Sequence, residues 1–162
     1  MKKSRLLLML LLGSIIINPL QTAGQDKAVQ KRMVKKITAR KVIKKTAVLI
    51  LRAYKIVKEN KVYTGNLARA ISHQKYAKKL YLGKVFNGAV YHSLRARKLA
   101  LLAIKANRKE GPSEIKKDQE ENAITLEMPP DDDLDKTLKQ ELPSETEKDE
   151  DVLSSSPDVN VD

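Results

Sequence analysis

The chain has 162 residues and a formal net charge of +12, with 4% aromatic residues, no tryptophan and one phenylalanine, Phe86. A core must therefore come from Leu, Ile, Val and Ala, which favours packed helices over a sheet. The lack of cysteine excludes disulfides, thiolate metal sites, a cysteine nucleophile and an acylated N-terminal cysteine.

The net charge hides a sharper division. Residues 1–24 carry three basic residues and no acid, a net of +3. From Asp26 to Glu110 there are 24 Lys and Arg against three acids, a net of +21. From Gly111 to Asp162 there are five lysines against 17 acids, a net of −12. Such a basic block followed by an acidic tail points to anionic partners for the body and to the tail as a competitor for them.

At the N-terminus, Lys2, Lys3 and Arg5 precede an apolar run from Leu6 to Ile17. Asn18-Pro19 follows, then the small residues Thr22-Ala23-Gly24. These are the three regions of a secretory signal peptide, and the apolar run is shorter than the about 20 residues of a membrane span. Residues 1–24 are expected to be removed by cleavage between Gly24 and Gln25, with Ala23 as the neighbouring choice. No later apolar stretch is long enough to span, so the expected product is periplasmic or extracellular, with no transmembrane segment after signal removal.

The basic body, residues 25–110, reads as three helices at about 27–61, 66–82 and 87–108. The first has no Gly or Pro, and Ala47, Ile50, Leu51 and Tyr54 share one face. Upstream, Lys36, Arg40 and Lys44 interrupt that stripe, so the front half is expected in solvent and the back half packed. Asn66 or Thr64 is expected to cap the second helix, and Gly83 to end it. The third ends at Gly111-Pro112 and carries Ala89, Ser93, Ala96, Ala100, Ala103 and Asn107 at alternating spacings of four and three. A seam of small residues predicts close approach of another helix, and the short connection makes that neighbour the second helix, running antiparallel.

Ala77, Leu80, Gly83, Phe86, Ala89 and Ala96 resemble one tetratricopeptide-type helical hairpin over residues 70–104. The resemblance implies two antiparallel helices locked by small residues and an aromatic. A peptide-binding superhelix needs about three such repeats, and only one copy is present.

Residues 111–162 are polar, acidic and broken by Pro129-Pro130, Pro143 and Pro157, and a disordered tail is expected. One island, Leu134, Leu138 and Leu142, forms a face four residues apart that is suited to docking as a short acidic helix.

Two constellations carry the functional expectation. Lys27, Lys31, Arg32, Lys35, Lys36, Arg40, Lys41, Lys44 and Lys45 crowd 19 residues without an acid. They suit phosphate-bearing partners such as anionic lipid or lipopolysaccharide. Nucleic acid is disfavoured, because the stretch has no aromatic for base stacking and export removes the chain from the chromosome. The second constellation is a repeated signature, His73-Gln-Lys-Tyr-Ala-Lys-Lys-Leu80 and His92-Ser-Leu-Arg-Ala-Arg-Lys-Leu99. An antiparallel hairpin places His73 and His92 at one level, forming with Gln74, Ser93 and Arg97 a polar layer that fixes register. Arg97 reads either as a structural arginine that reaches carbonyls at a helix end or as a ligand-binding one; if buried it needs a partner, which the tail could supply. Glu59 is the only acid well inside the body, so carboxylate catalysis lacks material and no enzyme is expected.

The sequence therefore predicts an all-α protein with a three-helix body, a close-packed hairpin and an acidic tail. Its expected role is exported, non-enzymatic binding of an anionic envelope component, with its own tail as intramolecular competitor. The alternatives are a helical module that docks an envelope protein and, as a minor one, a metal-binding accessory using the histidine pair. No cofactor is expected.

Overall fold

The computed structural model describes residues 20–108, 117–145, 147–154 and 156–161, with side chains from Asp26 onward. All regular structure among them is helical: α1 (Leu20–Asn60), α2 (Asn66–Leu82), α3 (Phe86–Asn107), α4 (Gln119–Thr125), α5 (Asp131–Glu141) and α6 (Asp149–Val152). The expected export segment, residues 1–24, falls outside the described residues up to position 19. Its last five residues begin α1, and the expected cleavage junction, Gly24 and Gln25, lies within that helix.

Helices α2 and α3 form an antiparallel hairpin. Tyr81 and Phe86 meet at the turn with ring centroids 5.7 Å apart, and further along Gln74 reaches Ser93. The turn is a Schellman motif, in which Val85 N donates to Leu80 O at 2.9 Å and Lys84 N to Tyr81 O at 3.0 Å. Gly83 ends α2 as expected, yet its φ is −73°; the left-handed position belongs to Lys84, with φ +65°. The small-residue seam of α3 is fully buried at Ala89, Ser93, Ala96, Ala100 and Ala103. It serves two neighbours, because Ala96, Ala100 and Ala103 share a cluster with Ala70 and Ile71 of α2 and with Ala47, Ile50 and Ala53 of α1.

Helix α1 packs across both partners through a buried stripe at spacings of three and four: Ala39, Val42, Ile43, Thr46, Ala47, Ile50, Ala53 and Val57. Full burial of Ile50, Leu67, Ile71, Leu99 and Ile104 contributes about 1.5–3 kcal/mol each. The stripe starts only at Thr38, and residues 26–36 lie at the surface apart from a half-buried Lys35. At 1.5 Å per residue α1 is about 60 Å long and α3 about 33 Å, so the front of α1 overhangs the hairpin.

The described part of the tail departs from the expectation of disorder: it lies along the body in three short helices. The prolines keep these helices short. Pro130 precedes α5, and Pro143 follows its C-cap, Leu142. Asp131, Asp132 and Asp133 occupy the first turn of α5, where carboxylates complement the helix dipole. Leu134 and Leu138 are buried and Leu142 is half-buried. The tail's own apolar content is too low to offset its ordering entropy, and the opposite charge of the body supplies what it lacks. Val159 and Val161 add an apolar anchor in the two core clusters.

The cap of α2 matches expectation only in part. Gly65 is its N-cap, in the left-handed region at φ +74°, and Thr64 Oγ1 accepts from Asn66 N at a long 3.4 Å, but no local side chain closes the rest of the first turn. Asp149 does so from the tail, with Oδ2 accepting from Thr64 N (2.8 Å) and Gly65 N (2.9 Å) and Oδ1 from Ala68 N (2.9 Å). A Cβ at Gly65 would stand 2.8 Å from Glu147 O, so glycine serves both the φ angle and the close approach of the tail. Gly65→Ala is expected to lower stability by about 1–2 kcal/mol from the left-handed geometry alone, and by more through the clash. Urea unfolding measures this, and a loss no larger than the left-handed geometry alone requires would show that the tail does not sit at this turn.

Candidate functional site

The tail and the basic body meet in a set of ion pairs that sorts the cations into two groups. On α1, Lys41 Nζ lies 2.8 Å from Asp118 Oδ2, and Lys45 Nζ lies 3.0 Å from both Asp118 and Glu121. These two members of the basic run are therefore engaged by the tail. The hydrogen bonds from Lys41, the Glu121 amide and Lys45 hold the Asp118 carboxyl far below the usual carboxylate range. Lys27, Lys31, Arg32, Lys35, Lys36, Arg40 and Lys44 have no acidic partner among the described residues, and all but Lys35 are exposed.

On the hairpin, the polar layer lies between the two apolar clusters. Thr46, Gln74 and Ser93 are fully buried, and Ser93 Oγ donates to Gln74 Oε1 at 3.1 Å. Gln74 Nε2 donates to Ile43 O at 2.8 Å and to Val159 O at 3.0 Å, which ties α1, α2 and the end of the tail together. His73 Nδ1 and His92 Nδ1 face each other at 3.0 Å, and His73 Nε2 lies 2.9 Å from Asp135 Oδ1. With both rings neutral, His73 Nε2–H donates to Asp135 and His92 Nδ1–H donates to His73 Nδ1. The ring of Tyr76 packs edge-on against His92, with centroids 4.6 Å apart.

Arg97 is buried as expected for a structural arginine and finds its partner in the tail. Its Nη1 lies 3.2 Å from Glu121 Oε2, and its Nε donates to Thr46 Oγ1 at 3.2 Å. Burial pushes the Glu121 carboxyl up, but Arg97 and Lys45 outweigh it and the net displacement is downward. Such a pair is weak evidence for net stability, yet removing one member leaves a buried charge and typically costs about 3–5 kcal/mol.

Asp135, Asp131 and Arg95 were not singled out from sequence, although they form the centre of this junction. Arg95 grips Asp135 with two hydrogen bonds, Nε to Oδ1 at 2.9 Å and Nη2 to Oδ2 at 2.7 Å, while its Nη1 reaches Asp131 at 2.9 Å. Arg69 also pairs with Asp135, and Lys98 with Asp131. Against desolvation, these cations hold the Asp135 carboxyl at about 2. The only sequence signal was spacing: Asp131 and Asp135 lie four apart beside Leu134 and Leu138, so both pairs face one way on α5. A second row of cations, Lys75, Lys78 and Lys79 on α2, is covered by Glu145, Asp158 and Glu141.

The histidine nitrogens that face each other are spent on that contact, and among the described residues no group of three His, Asp or Glu side chains is placed to hold a metal ion. No described helix is long and apolar enough to cross a membrane. Comparison with protein-family models, curated proteins and solved structures finds no match to this chain.

Burial lowers both histidines to about 4; the Asp135 carboxylate partly opposes this at His73, and the neighbouring His73 adds to it at His92. The sign follows from linkage. The unfolded chain binds these protons near pH 6.5 and the folded chain only near 4, so their contribution is complete above 6.5 and lost as pH falls towards 4. Asp135 adds a further loss as pH falls from about 4 towards 2. Urea midpoints measured from pH 7.5 to 4 should fall, and His73→Gln with His92→Gln should flatten that slope. An equal slope in the double variant would place the titration elsewhere.

Proposed function

We propose that this is an exported binding protein, without a catalytic step, whose overhanging basic helix face engages phosphate-bearing anionic material of the cell envelope. The observation that carries the reading is the unequal sharing of the tail's charge. Carboxylates neutralise Lys41, Lys45, Arg69, Lys75, Lys78, Lys79, Arg95, Arg97 and Lys98, while seven cations of the α1 basic run, five of them on the overhang, are left without an acidic partner among the described residues. Arg52, Lys55, Lys58, Lys61, Lys84, Lys105 and Arg108 also lack one there but are spread over other parts of the chain. A row of unbalanced charges on an exposed helix carries self-repulsion that an anionic ligand relieves. The charged start, apolar run and small-residue exit of residues 1–24 support export.

The tail's role in this reading is to restrict where anions bind. Lys75, Lys78 and Lys79 form a second basic row that opens to solvent if Glu141, Glu145 and Asp158 let go. Because the tail is tethered, its local concentration is high, and weak exposed pairs suffice to keep this row covered.

Heparin chromatography of the full chain tests both parts. Lys27→Gln, Lys31→Gln, Arg32→Gln and Lys36→Gln together should lower the eluting salt and weaken affinity about tenfold or more, at up to about 1 kcal/mol per exposed contact. Glu141→Gln, Glu145→Gln and Asp158→Asn together should raise the eluting salt. No effect of the first set refutes the anion-binding face. No effect of the second removes the tail as a competitor.

A further inference from the structure

The overhang of α1 is apolar as well as basic. Val29, Met33 and Ile37 are 59%, 59% and 62% exposed, and they follow one another at one-turn spacing. Across the groove from Val29 and Met33, the end of α2 presents Leu82 at 74% exposure. Val29 and Met33 line one groove of about 450 Å³ with Tyr81, Leu82 and Phe86, and its rim carries Arg32, Lys36 and Lys84. Soluble chains rarely leave large apolar side chains grouped in this way, and such groups mark interaction surfaces. Here none of the three rim cations has an acidic partner among the described residues.

We infer that this groove is a docking site for anionic lipid at a membrane surface, with headgroup phosphate held by Arg32, Lys36 and Lys84 and the first acyl carbons laid against Val29, Met33 and Leu82. The inference deepens the anion-binding reading above and rests on it. Charge complementarity selects the occupant. A lining of aliphatic and aromatic side chains beside cations of one sign fits a molecule with an apolar body and a negative head. A purely polar anion uses the rim and leaves that lining idle. The geometry is that of an interfacial helix, which lies in the headgroup plane with its apolar residues turned inward and lysine and arginine at phosphate level. The Schellman turn sets Leu82 and Lys84 beside the overhang, so two elements rather than one helix would enter the interface.

The absence of cysteine makes a local test direct. In the full chain, Met33→Cys, Leu82→Cys and Val48→Cys each take a single environment-sensitive fluorophore. Val48 is 69% exposed but is not among the groove's lining residues. With phosphatidylglycerol vesicles the labels at 33 and 82 should shift to the blue and that at 48 should not. Phosphatidylcholine vesicles should move none. Arg32→Gln, Lys36→Gln and Lys84→Gln in the label-82 background should weaken the response about tenfold or more.

Silent labels at 33 and 82 on vesicles that co-sediment with the protein, or an equal shift at 48, overturn the lipid site while heparin binding keeps the anion-binding face. Loss of heparin binding as well brings down both. A blue shift that grows with protein concentration in the absence of vesicles assigns the groove to a second copy of the chain and also overturns the lipid site.

Discussion

Neutralisation of a basic helical body by its own acidic tail is the constraint on which the rest of this structure depends. Within the hairpin, Arg95 and Arg97 are 7% and 4% exposed, and the body itself contributes no carboxylate to either. A buried guanidinium without a partner is strongly unfavourable, so the packing of α1 against α3 around Arg97 presupposes Glu121. The same holds at the start of α2, where three backbone amides converge on Asp149. The tail thus acts less as an appendage than as the missing acidic part of the domain.

This arrangement divides the molecule by function as well as by charge. The polar layer of His73, Gln74, His92 and Ser93 fixes the register of the hairpin, since a shift of one residue would break the paired hydrogen bonds. The alanine seam brings α3 close to both neighbours. Neither feature involves the front of α1, which projects past the hairpin with its cations uncovered. In the functional reading proposed here, the hairpin and tail hold one another while the overhang is left to meet a ligand.

Much of the helical body was legible in the sequence because each cue was local. The boundaries of α2 and α3 followed from Thr64 and Asn66, Gly83 and the seam spacing, and the level of His73 with His92 followed from a short turn between two helices. The exposed front and packed back of α1 followed from where lysines interrupt its apolar stripe. The tail was not legible in the same way. Its low apolar content describes an isolated segment correctly, but order here comes from a surface 24 to 80 residues away, as the pairs Arg97–Glu121, Arg95–Asp135 and Lys78–Asp158 show. The larger share of the α2 cap was missed for the same reason, because Asp149 lies more than 80 positions from the amides that it accepts from. Lys41 and Lys45 looked identical to their neighbours in the basic run until Asp118 and Glu121 were placed beside them.

The central claim is that the tail is folded onto the body, and native-state hydrogen exchange of the full chain tests it most directly. Amides in the last turn of α5, from Leu138 to Leu142, should exchange at least about a hundredfold more slowly than in an unstructured peptide, as ordered and docked helices do. That protection should fall as salt rises, because much of the contact is made by ion pairs at the surface. Exchange of these amides at the unstructured rate, with α2 and α3 still protected, would contradict the account.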